Sequence, residues 1–64
     1  RPQDRMDSIK MVWEGGRALS AGDTRMAGRL ARTAVWLDPF SQGAKAFYFK
    51  VFGSVPVISL NKPL

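Results

Sequence analysis

Sixty-four residues make one small domain at most, and a chain of this length buries only about 60% of the surface its unfolded state exposes. With neither Cys nor His, disulfides, thiolate or imidazole metal sites, Cys or His nucleophiles and Ser-His-Asp triads are excluded, which leaves a partner surface as the common supplement to a small core. Ten Lys and Arg against five Asp and Glu give a net charge of +5, which serves either solubility alone or an anionic partner: RNA, an acidic protein surface or anionic lipid headgroups.

The chain opens on Arg1 rather than Met, as expected of a processed product or a partial chain; a removed organellar or secretory presequence is compatible with it, and no compartment is identified. Residues 1–3 are expected to fray. Asp4 or Asp7 is suited to cap a first helix over about residues 5–20. Met6, Ile9, Val12, Trp13, Gly16 and Leu19 then share one stripe and are expected to form its buried face, with Lys10, Glu14 and Arg17 opposite or beside it. Gly15 and Gly16 cost roughly 1 kcal/mol each relative to Ala in a helix interior, a cost explained by close approach of a second helix or by a break.

Residues 20–23 read as a tight turn with Gly22 at the helix C-cap. Asp23 or Thr24 caps a second helix that runs to about Leu37, with Met26, Ala27, Leu30, Ala31, Ala34 and Leu37 on its apolar stripe. Small alanines there permit close packing on the glycines of the first helix. Pro39 disfavours helical geometry at Asp38 and ends the element. Ser41 caps a third helix from about Gln42 to Phe52; Ala44, Phe47, Tyr48, Val51 and Phe52 share a face, Phe49 lies off it, and Gly53 supplies the stop. Val55, Val57 and Ile58, with two prolines, make the last eleven residues an extended apolar tail without a partner strand, expected to dock on something. The longest apolar candidate, residues 46–60, is interrupted by Lys50, Gly53 and Pro56, so no transmembrane helix is expected.

The second helix resembles the second helix of a tetratricopeptide repeat. Gly22-Asp23 precedes it, Ala27 and Ala34 hold small positions at the family's seven-residue spacing, Leu37-Asp38-Pro39 closes it, and residues 40–52 resemble the first helix of a following repeat. The resemblance covers residues 9–52 and implies a helical interaction module. Counted back from Pro39, the family spacing places Met11, Glu14, Gly15 and Ala18 at the core positions of the first helix. The apolar stripe instead selects Val12, Gly16 and Leu19, one residue later. A turn one residue shorter, or an ordinary antiparallel helical hairpin with small residues at its contact, also accounts for these residues.

Arg25, Arg29 and Arg32 lie on one side of the second helix with Trp36 in the same sector, a face suited to bind an anion: guanidinium contacts phosphate bidentately, and indole stacks on a base or sits at a headgroup boundary. The preferred structural alternative has Arg32 covering Trp36 by a cation–π contact. Phe47, Tyr48, Phe49 and Phe52, continued by Val55, Val57, Ile58 and Leu60, exceed what three short helices cover, so they are expected to dock on a partner or a membrane. The five carboxylates Asp4, Asp7, Glu14, Asp23 and Asp38 are scattered and mostly sit at helix ends. Gly15-Gly16 is not followed by the Gly-Lys-Ser/Thr of a phosphate loop.

The expected fold is therefore all-α: an antiparallel helical hairpin plus a third short helix over residues 1–53, with an extended docking tail over residues 54–64. No catalytic, cofactor-binding or metal-binding residue is assigned, and no cofactor is implied. The expected function is that of a non-catalytic accessory subunit docking onto a larger protein complex, at a membrane-associated energy-converting assembly, with anionic lipid headgroups as a further contact. A small basic ribosomal or RNA-binding protein ranks second, because an apolar tail is the wrong chemistry for threading between phosphates. A free-standing peptide-binding repeat module ranks third, because one hairpin cannot build a concave groove.

Overall fold

The computed structural model describes residues 2–56, which fold as three helices: α1 (Pro2–Ser20), α2 (Thr24–Leu37) and α3 (Gln42–Phe52). Val57, Ile58 and Leu60 of the expected tail lie outside the described residues. The first helix begins earlier than the capping residues implied. Pro2 is tolerated there because the first turn has no use for its missing N–H. Asp4 and Asp7 consequently sit inside the helix: Asp4 places a carboxylate in the first turn, near the positive end of the dipole, and Asp7 Oδ1 accepts from Gln3 Nε2 at 3.0 Å.

The turn into α2 is fully accounted for by local chemistry. Gly22, at φ +80°, donates to the Leu19 carbonyl at 3.0 Å, and Asp23 donates to the Ala18 carbonyl at 2.8 Å. That pair of bonds is the Schellman closure, which requires a left-handed residue and so favours glycine. Asp23 then turns from C-terminal donor to N-cap: its Oδ1 accepts from the Met26 N–H at 3.1 Å. The second connection is as compact. Asp38 leaves the helix at φ −142° and ψ 85°, its carboxylate accepts from the Phe40 N–H at 3.3 Å, and its carbonyl accepts from Ser41 at 3.1 Å across Pro39. Ser41 Oγ caps α3 by accepting from Ala44 at 3.1 Å, and Gly53, left-handed at φ +72°, closes it by donating to the Phe49 carbonyl at 2.7 Å.

The α1–α2 hairpin is antiparallel and close, since the positions that meet carry little side chain. Ser8 is completely buried and its Oγ donates to the Ala34 carbonyl at 2.8 Å, tying the start of α1 to the end of α2. Ala27, Ala31 and Ala34 are fully buried on α2. The third helix lies against both members of the hairpin. Phe47 is its anchor, only 7% exposed, packed with Ala27, Ala31, Val12, Ala18 and Leu19. Ala44 packs with Ala34, Val35, Met11 and Val12 at the other end of the same core.

Gly15 and Gly16 behave differently. A Cβ at Gly15 would overlap the Phe47 ring, coming within 2.6 Å of Cζ, whereas a Cβ at Gly16 would meet nothing within 4 Å. Of the two glycines, only Gly15 shows the expected close approach, and it is with Phe47 of α3 as well as with Leu30 of α2. The buried face of α1 shifts accordingly. It consists of Ser8 and Gly15, with Met11, Val12, Ala18 and Leu19 packed partly against the core. Of the stripe expected to be buried, only Val12 and Leu19 contribute to it.

Candidate functional site

The residues displaced from the core define the surface with most to explain. Met6 is 61% exposed, Ile9 48% and Trp13 74%, and at 100° per residue these three lie on the side of α1 turned away from Ser8 and Gly15. Helix α1 is thus apolar on two sides, with a small-residue side turned inward and a large-residue side turned outward. Beyond Trp13 the outward side continues into a shallow depression lined by Val12, Trp13, Gly16, Arg17, Ser20 and Ala21. The absent side chain of Gly16 helps to form it. Arg5, Lys10 and Arg17, all exposed, lie beside this stripe; Asp4 and Asp7 fall in other sectors, and Glu14, also exposed, lies just beyond Lys10.

The aromatic residues expected to dock divide into two groups. Phe47 is a core residue and is corrected as such: its ring is spent filling the space above Gly15. Tyr48 is half-buried, its ring tilted against that of Phe52 with centroids 4.5 Å apart. Phe52 lies over Gly28, where an added Cβ would come within 3.3 Å of its Cζ, and it remains 39% exposed. Phe49 and Val55 are exposed, as is Phe40 in the α2–α3 turn, at 82%. Phe40, to which the sequence assigned no docking role, is the most exposed large apolar side chain among the described residues. Its position directly after Leu-Asp-Pro, where the turn projects it, was the available signal.

The basic face of α2 also differs in its internal contacts. Arg25, Arg29, Arg32 and Trp36 are all exposed. Arg32 does make a cation–π contact, but with Phe52 of α3, its Cζ lying 5.4 Å from the ring centroid, rather than with Trp36 of its own helix. Its role is therefore partly to seal the α2–α3 contact. The backbone carbonyl of Arg29 accepts from Thr33 Oγ1 at 2.8 Å, a contact internal to the helix.

The carboxylates with resolved partners have structural work: Asp7 with Gln3, Asp23 at a cap and Asp38 in a turn. Among the described residues no group of three or more potential metal ligands gathers, and no helix is long and apolar enough to cross a membrane. No family model matches this chain, and neither the curated proteins nor the solved structures contain a significant match to it.

Proposed function

We propose that this chain is a non-catalytic accessory module that docks onto a larger protein assembly. The observation that carries the reading is the outward face of α1, where Met6, Ile9 and Trp13 stand exposed on a well-formed helix whose opposite side already satisfies the core. Isolated exposed apolar residues are ordinary, but three at helical spacing beside a depression form a patch of the kind that marks an interaction surface. Phe40, Phe49 and Val55 add apolar surface elsewhere on a molecule that has little core to spare.

The anion-binding alternative draws less support, since Arg32 is engaged with Phe52. Salt dependence separates the two readings. Binding through phosphate contacts weakens steeply as ionic strength rises, whereas apolar docking persists. The direct test is to express the chain with a small tag in the cells that make it and to fractionate a native extract by size. The chain is expected in a species far larger than its own 7.1 kDa, retained at high salt. Elution as a free monomer, or loss of the large species on nuclease treatment, overturns the reading.

A further inference from the structure

Resting on that docking reading, we infer that the outward face of α1 receives an amphipathic helix whose apolar stripe is flanked by carboxylates. Its contact would run from Met6 through Ile9 and Trp13 to the depression at Gly16. Three features select this occupant. The length of the face comes first: Met6 to Ser20 spans nearly four helical turns, which suits a helix lying alongside rather than a single inserted side chain. Shape comes second. Gly16 would accept a Cβ without contact, so its cost in helix propensity finds no explanation among the described residues; a hollow beside the Trp13 ring gives a protruding Leu- or Phe-sized side chain a place to seat.

Charge is the third feature, and it decides between occupants. Arg5, Lys10 and Arg17 border the apolar stripe; of the helix's carboxylates only Glu14 comes near them, just outside Lys10, so the border is predominantly basic. A second copy of this chain would bring the same basic border against itself, and like charges facing across an interface are unfavourable. A helix with Asp or Glu beside its apolar stripe reverses the sign of every one of those contacts. An anionic membrane shares the charge preference, but a fluid headgroup layer has no use for a hollow at Gly16; the surface therefore favours a protein helix.

Photo-crosslinking tests this with the full chain. Benzoylphenylalanine is placed at position 9 or 13 in one set of chains and at position 49 in another, irradiated in the producing cells, and the crosslinked segment is sequenced. Adducts from positions 9 and 13 are expected on a helical segment with apolar residues three and four apart and carboxylates beside them. The paired changes Lys10→Glu and Arg17→Glu are expected to lower adduct yield about tenfold or more, since like charges at such an interface cost more than a kilocalorie per mole. Gly16→Leu, which fills the hollow with a good helix former, is expected to lower it as well, with circular dichroism showing the helices intact in each variant. Adducts on lipid, on a second copy of this chain or on a basic segment overturn the inference, as do adducts indifferent to all three changes. Silence at 9 and 13 with protein adducts at 49 sinks this inference while leaving the docking reading standing; silence at every position, with the chain monomeric, sinks both.

Discussion

Gly15 and Gly16 are chemically identical neighbours with opposite consequences, because one faces an aromatic ring and the other faces space. Gly15→Ala forces the Phe47 ring out of place, and overpacking of this kind costs about 1–3 kcal/mol, more than the helix propensity the methyl group contributes. Gly16→Ala meets nothing and is expected to stabilise the chain by up to about 1 kcal/mol. Urea unfolding followed by circular dichroism measures both; equal effects of the two substitutions would refute the assigned packing. Ser8 is legible only in the folded molecule. Its hydroxyl bonds the Ala34 carbonyl, which also accepts the Asp38 N–H at 3.1 Å, so Ser8→Ala removes one of two bonds and costs about 1 kcal/mol in the same assay.

At the scale of the element, α2 and α3 follow their local signals closely and α1 does not. Asp23, Ser41, Gly22 and Gly53 each supply a cap whose geometry is dictated within a few residues, and both helices end where those residues and Asp38-Pro39 require. Asp23→Ala, which removes the acceptor for the Met26 N–H, is expected to cost about 1 kcal/mol and to increase hydrogen exchange in the first turn of α2. The apolar periodicity of α1 identified a real stripe but assigned it to the wrong side. Met6, Ile9 and Trp13 are the larger apolar residues, and periodicity weights size and hydrophobicity; the core required close approach, which Ser8, Gly15 and Ala18 provide. The spacing counted back from Pro39, by contrast, picks out Met11, Gly15 and Ala18, all of which pack inward, together with Glu14, which is exposed.

Among the described residues, Phe47 is the aromatic side chain buried where the three helices meet. Phe47 links α3 to α1 and α2 at once, so Phe47→Ala removes about 3–5 kcal/mol, comparable to the entire stability expected of a chain this small, and should abolish cooperative thermal unfolding. Phe49→Ser and Trp13→Ser change exposed positions and are expected to shift stability by no more than about 0.5 kcal/mol. Their effect should appear instead as lost association. A Trp13→Ser chain that unfolds as readily as Phe47→Ala would place Trp13 in the core and contradict the docking surface.

By itself the sequence determined the all-α class, the positions of the two turns, the extents of α2 and α3 and the small-residue character of the hairpin, because caps, glycines with positive φ and Pro39 act on the backbone within a few residues of themselves. Only the tertiary structure decided which side of α1 faces inward, that Phe47 rather than an alanine of α2 fills the gap at Gly15, and that Arg32 reaches Phe52 across a helix boundary. Those outcomes depend on how three helices share a small volume. In that competition the closest packing took the small side of α1 and left Met6, Ile9 and Trp13 outside.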